Sequence, residues 1–292
     1  MPLWQRQKIQ TVLRKVTASK IPYRGRLAPT PTGYLHLGHA RTFWIAQQRA
    51  KLNGGTLILR NDDLDSTRYK MEFVDAMIED LKWFGFEWQE GLDIGGAFAP
   101  YNQSERFSFY RTVLEKLRAG NFIYPCTCSR KDIQSAVNAP HADDELIYPG
   151  TCRENLKSKI QNAKFCWRFR VPDGETISFR DENLGEQKFI AVKDFGDFVV
   201  WRNDDVPAYQ LACVVDDAEM KITEVVRGKD LLLSTARQLL LYRALNLQPP
   251  KFFHCELMLD ENGRRLAKRN DALSLRQLRE RGAKPEELHK DR

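Results

Sequence analysis

Apolar positions along the 292-residue chain change their period several times, and each change marks an element. Arg24 to Ala28 reads as a short strand that Pro29 and Pro31 cannot continue, and Gly33 permits a turn with positive φ. From Leu35 onward apolar residues such as Leu37, Ala40, Phe43 and Trp44 recur at helical spacing, which predicts a helix over His36–Leu52 that Asn53-Gly54-Gly55 stops. A strand Thr56–Arg60 follows and ends in Asn61-Asp62-Asp63-Leu64-Asp65, with helices over Lys70–Phe84 and Ser104–Ala119 after it. Residues 126 to about 190 break this rhythm with cysteines, prolines and short strand-like runs such as Phe165–Val171. It resumes with Asp197–Trp201, the apolar stretch Tyr209–Val215, strand Ile222–Arg227, helix Leu231–Leu245 and the apolar strand Phe252–Leu259. Strands alternating with helices imply an α/β chain with a mostly parallel sheet, helices on its faces and an insertion between two halves.

The expected organisation is therefore an N-terminal extension (1–20), the first half of the nucleotide-binding domain (21–125), the insertion (126–190), the second half (191–275) and a basic tail (276–292). In the extension, Ile9, Val12, Leu13 and Val16 share one helical face, which suits a leading helix packed on the domain ahead of the alternative, an organellar presequence.

Charge adds a second layer. The net charge of +7 is uneven: residues 1–26 carry +7 and residues 264–292 carry +5, leaving −5 for the body between them. Both ends are suited to a polyanion, and the last segment equally to a solvated helix face. With 42 % hydrophobic residues the chain can bury a sizeable core, and no run approaches the ~20 apolar residues of a membrane span. The start lacks a secretory apolar block, so a soluble, cytoplasmic protein is expected, with reduced cysteines.

Chemistry concentrates at a few places. His36, Gly38 and His39 fall in the first turn of the helix after the proline-stopped strand, where unpaired N–H groups favour a phosphate. Gly38 would admit an adenine ring close to the backbone, and the two imidazoles can donate to charge developing on an α-phosphate. Asp62, Asp63 and Asp65 lie at the C-terminal end of a strand, where open α/β sheets hold ligands and where carboxylates can bind an ammonium. Arg227 closes an apolar strand before Gly228 and can grip a carboxylate through two parallel hydrogen bonds or join a structural ion pair. Arg264, Arg265, Lys268 and Arg269 form a cationic loop suited to a departing pyrophosphate. Cys126-x-Cys128 and Cys152 offer three thiolates for a structural zinc, with His141 as the ordinary fourth ligand, backed by Asp143 or Asp144. Cys166, Cys213 and Cys255 sit in apolar strand-like runs and read as core residues.

Taken in order, His36-Leu37-Gly38-His39 and Arg265-Leu-Ala-Lys-Arg269 resemble the two ATP motifs of class I aminoacyl-tRNA synthetases, and from about Tyr23 to Leu275 the chain resembles the glutamyl-tRNA synthetase family. The resemblance implies a Rossmann-type catalytic domain that activates glutamate with ATP and Mg²⁺. It implies ATP contacts from His36, Gly38, His39, Arg265 and Lys268, with His36, His39, Lys268 and Arg265 catalytic. It further implies a glutamate pocket of Arg26, Ala28, Thr30, Asp62, Tyr209 and Arg227, the last for the side-chain carboxylate. Only 24 residues follow Lys268, too few for an anticodon-binding domain, which directs the resemblance to the shortened branch that transfers glutamate to the queuosine base of tRNA(Asp). In that branch Cys126, Cys128, Tyr148 and Cys152 would hold Zn²⁺, and a monomer is expected. The chain departs from the family at Asp62, where the family has Glu, and at Arg265 and Ala267, where it has Lys and Ser; the spacing from Cys128 to Tyr148 is also longer. A truncated glutamyl-tRNA synthetase, a ligase for another acceptor, and a catalytically silent RNA-binding protein are the competing readings.

Overall fold

The computed structural model describes residues 21–136, 147–154, 164–258 and 273–290. Along the chain these form strand β1 (Arg24–Leu27), helix α1 (Leu37–Leu52), β2 (Thr56–Leu59), α2 (Met71–Trp83), β3 (Glu90–Gly91), α3 (Phe107–Ala119), β4 (Ile123–Cys126) and α4 (Arg130–Ala136). They continue with β5 (Cys166–Phe169), β6 (Thr176–Asp181), β7 (Gly185–Ile190), β8 (Phe198–Trp201), α5 (Tyr209–Glu219), β9 (Glu224–Gly228), α6 (Leu232–Ala244), β10 (Lys251–Cys255), α7 (Leu275–Glu280) and α8 (Pro285–Lys290). The helix expected over residues 9–16 lies outside the described residues.

β1, β2 and β3 pair in parallel in that order, and β9 pairs in parallel with β10. β9 lies against the free side of β1: the Thr223 N–H donates to the Arg24 carbonyl at 2.9 Å, and the Arg24 N–H donates to Thr223 Oγ1 at 2.8 Å. The chain thus builds outward from β1 through β2 and β3, then returns to β1's other side and builds outward again. Side chains alternate across these strands, so Ile58, Val225 and Phe252 join one apolar core with α3, α5 and α6. Leu57, Leu59, Val226 and Phe253 join a second core on the opposite face with α1, α2 and α7. The outcome is the helix–sheet–helix layering that the alternation of elements implies.

Strand pairing crosses the expected boundary at residue 190 in both directions. The hairpin β6–β7 joins the sheet of β9 and β10, giving the order β7-β6-β10-β9, while β8 pairs antiparallel with β5 in the sheet β4-β5-β8. Tyr209–Val215 forms the start of helix α5, which places Cys213 on a buried helix where a strand-like run had been expected. A seven-residue apolar run fits either period, and only its packing against α6 and β8 decides. The C-terminal segment docks: Leu275 is buried, and Arg279 reaches Glu79 at 3.3 Å and Asp80 at 3.7 Å on α2. No helix among the described residues is long and apolar enough to cross a membrane.

Candidate active site

β1 and β9 are neighbours whose chain connections leave in opposite directions across the sheet, and a crevice opens outside their C-terminal ends, as at the switch point of any open α/β sheet. A cleft of about 410 Å³ occupies it. Arg26, Ala28 and Thr30 enter it from β1 and the turn after it, His36, Gly38 and His39 from the first turn of α1, Asp62 from the end of β2, Tyr209 from the start of α5 and Arg227 from β9. All nine described residues of the expected ATP and amino-acid sites therefore line one cleft.

The first turn of α1 is held by its own histidines. His36 Nδ1 accepts the Gly38 N–H at 3.1 Å, His39 Nδ1 accepts the His36 N–H at 3.4 Å, and the two rings lie 3.8 Å apart. A Cβ on Gly38 would come within 2.9 Å of the His36 ring, so glycine there keeps that imidazole in place. Arg265 and Lys268 lie outside the described residues, as does His141. What is described are the residues on either side of the segment that carries the two cations: Leu257 and Met258 line the cleft, and Ser274 bridges to the backbone of His36 while the Leu275 N–H donates to the Leu35 carbonyl at 2.7 Å.

Beneath the cleft is a charge network that residue patterns did not single out. Arg60, fully buried, donates through Nε to Asp62 at 2.7 Å and through Nη1 to Asp217 at 2.7 Å. Arg26 also reaches Asp217, at 3.3 Å, and Arg106 meets Asp216 at 2.7 Å. Burial raises Asp62 to about 6 despite Arg60. Burial likewise favours protonation of Asp217, but Arg26 and Arg60 outweigh it and hold that carboxyl below the usual range. The signal for Asp216 and Asp217 was their place about two turns after Tyr209 on an apolar run, where an unpaired acid would not be tolerated.

Arg227 meets a protein partner at each of its three nitrogens. Its Nε faces His254 Nε2 at 3.2 Å, Nη2 donates to Thr235 Oγ1 at 2.7 Å, and Nη1 lies 3.5 Å from the Tyr209 hydroxyl. Among the described residues this leaves one N–H on each terminal nitrogen, enough for a two-point grip on a carboxylate.

A second group lies at the β4-β5-β8 sheet. The sulfurs of Cys126, Cys128 and Cys152 are all within 4.8 Å of one another, a group able to hold a metal ion. The Tyr148 hydroxyl sits 3.3 Å from Cys126 Sγ and 3.6 Å from Cys128 Sγ and accepts the Cys152 N–H at 2.9 Å. Cys166, expected as a plain core residue, is paired opposite Cys126 and is half-buried. Its thiol, followed by Tyr148 and Arg168, draws Cys126 down to about 4 against burial, whereas burial pushes Cys128 up to about 11. Arg168 donates to Cys126 Sγ at 3.2 Å and covers the Tyr148 ring at 4.1 Å.

Residues 23–290 match the family described as tRNA synthetases class I (E and Q), catalytic domain. The chain belongs to that family. It is 47 % identical over 269 residues to a glutamyl-Q tRNA(Asp) synthetase of Symbiobacterium thermophilum, covering 90 % of this chain and 83 % of the relative. A relative of the same name in Nitratidesulfovibrio vulgaris is 45 % identical over 265 residues, covering 89 % and 82 %. The crystal structure of a glutamate tRNA ligase from Elizabethkingia meningosepticum in complex with its amino acid superposes with a TM-score of 0.76 at 32 % identity over 86 % of this chain. The class I synthetase chain described here spans about half of that ligase, 52 % of its length.

Proposed function

We propose that the chain activates L-glutamate with ATP, without tRNA, and transfers it to the queuosine base of tRNA(Asp). In the first step a glutamate carboxylate oxygen bonds to the α-phosphorus of ATP and pyrophosphate leaves; in the second a hydroxyl of queuosine attacks the activated carbonyl and AMP leaves. The observation that carries this reading is a cleft at the β1–β9 switch point, where the first turn of α1 and Arg26, Asp62 and Arg227 line one volume. Relatives covered over more than four-fifths of their length and named glutamyl-Q tRNA(Asp) synthetases support the same acceptor.

In this reading Arg227 takes the side-chain carboxylate, Tyr209 lies beside it, and Asp62 receives the ammonium with Arg26, Ala28 and Thr30 around it. His36 and His39 donate to the α-phosphate in the transition state, with Gly38 setting their turn. Lys268, with Arg265, neutralises the departing pyrophosphate from a loop whose two ends both meet the cleft, and Mg²⁺ accompanies ATP. A tetrahedral zinc with sulfur about 2.3 Å away needs ligands roughly 3.8 Å apart. Cys126, Cys128, Cys152 and the Tyr148 oxygen, at separations of 3.3 to 3.6 Å where they touch, support a structural Zn²⁺ held by those four. A cytoplasmic monomer completes the proposal.

ATP–pyrophosphate exchange with each amino acid in the absence of tRNA tests the first step, and exchange with glutamate alone is expected. Lys268→Ala should slow it more than it weakens glutamate binding. Labelled glutamate should then map to the anticodon fragment of nuclease-digested tRNA. A label on the 3′ fragment would support instead a glutamate–tRNA ligase lacking its further domains, the reading favoured by the likeness to the Elizabethkingia ligase.

A further inference from the structure

A guanidinium that reads a carboxylate must hold one rotamer, and Arg227 is anchored from behind. Its Nε–H can donate to His254 Nε2 only if that nitrogen carries a lone pair, so the imidazole proton belongs on Nδ1. Nδ1 in turn faces Asp181 Oδ2 at 2.6 Å. Asp181 also accepts the N–H groups of His254 at 3.1 Å, Asn183 at 3.0 Å and Leu184 at 2.9 Å, so its oxygens meet only donors. Both residues are buried, His254 completely, and neither lines the cleft. The chain Asp181–His254–Arg227 runs across three adjacent strands, β6, β10 and β9. Burial, with Arg227 adding to it, keeps the imidazole below its ordinary pKa, and hence neutral, although Asp181 and Asp230 oppose this.

We propose that the buried Asp181–His254 pair is a positioning device for Arg227: it fixes the imidazole tautomer, and thereby the guanidinium edge with which the site recognises the side-chain carboxylate of its amino acid. The proposal rests on the reading of the cleft as a glutamate-activating site. Thr235 Oγ1 also stands 3.1 Å from Nε2, so a proton there would turn toward that hydroxyl, set donor against donor with the Arg227 Nε–H and turn the guanidinium away from that geometry.

The test compares pyrophosphate exchange by the full chain and by Asp181→Asn, His254→Leu and His254→Gln, varying glutamate and ATP separately. Asp181→Asn presents an amide N–H to the ring and moves its proton to Nε2, and His254→Leu removes the acceptor. Each should raise KM for glutamate by ~10- to 100-fold while kcat and KM for ATP stay within about threefold. His254→Gln, whose amide oxygen can stand where Nε2 does, should recover most of that loss. Unchanged KM for glutamate in the first two variants, or a parallel fall in every parameter, overturns the proposal. The ¹⁵N spectrum of histidine-labelled wild-type chain, which has five histidines, gives a reading that needs no folded variant: one non-titrating imidazole protonated at Nδ1 and bare at Nε2 is expected. The opposite tautomer, or an imidazolium at neutral pH, overturns it. Wild-type chain that has the expected tautomer yet exchanges no pyrophosphate with glutamate overturns the activation reading, and with it the role given to the pair.

Discussion

The cleft and the cysteine group handle buried charge in opposite ways. Under the cleft, Arg60, Arg26 and Arg106 are neutralised by Asp62, Asp217 and Asp216, so the protein supplies both signs and the geometry is complete before any ligand arrives. At the β4-β5-β8 sheet three cysteines and a tyrosine converge, and Arg168 is the cation in contact with them among the described residues. One region is preorganised by its own chain, and the other gathers more donor groups than its one contacting cation can balance, a set able to hold a metal ion. Substitutions should therefore fail differently in the two places.

The largest effect is expected for Arg60→Met. Removing the shared cation leaves Asp62 without its arginine and Asp217 with Arg26 alone in a low dielectric, at a cost of about 3–5 kcal/mol by urea denaturation, with metal present or absent. A loss under ~1 kcal/mol would break the comparison. Next comes metal removal: in the proposed reading, stripping zinc with a chelator should cost about 3 kcal/mol at metal concentrations well above Kd, while exchange with glutamate persists. Tyr148→Phe keeps the ring under Arg168 and should weaken zinc binding at least ~10-fold with exchange unaltered; a chelator that abolishes exchange would show that the two regions are coupled.

A third measurement probes the cleft's own titration. Asp62 is ionised above about 6, so in the proposed reading the charge that receives the ammonium is lost as pH falls below that value. KM for glutamate should then rise toward tenfold per pH unit, and Asp62→Asn should raise KM and flatten that dependence. The smallest effect is at Asp80, whose carboxylate oxygens have no hydrogen-bond partner among the described residues although Arg279 stands 3.7 Å away. Burial raises its pKa to about 6 from the ordinary 3.8, so its stabilising contribution is full below 3.8 and is lost as pH rises through about 6. Asp80→Asn should accordingly gain about 1 kcal/mol at pH 8, discounted for the part-exposed Arg279, and nothing near pH 4. Thermal melts at the two pH values decide it.

Much of the cleft was legible because its residues sit where strands stop. Pro29 and Pro31 end β1, Gly33 turns the chain, and the helix that follows must present its first turn at that edge. The aspartates after β2 and the arginine closing β9 lie at the same edge for the same reason. Arg60, Asp216, Asp217, His254 and Asp181 were not legible as a set. Each occupies an ordinary position in an apolar run, and their partners are up to 191 residues away, in the Arg26–Asp217 pair. The boundary at residue 190 was hidden likewise, since β6, β7 and β8 are similar short strands whose partners no local pattern names.

By itself the sequence determined the periods, stops and caps of the elements, because proline, glycine and apolar spacing act through the backbone over a few residues. It thereby determined which side chains stand at the strand ends. The tertiary structure decided which strands are neighbours, that Tyr209–Val215 is a helix, and that buried arginines meet buried aspartates beneath the cleft. Those outcomes depend on burial and pairing between distant segments, and a buried charge is tolerated only where the fold brings its counter-charge within hydrogen-bond reach.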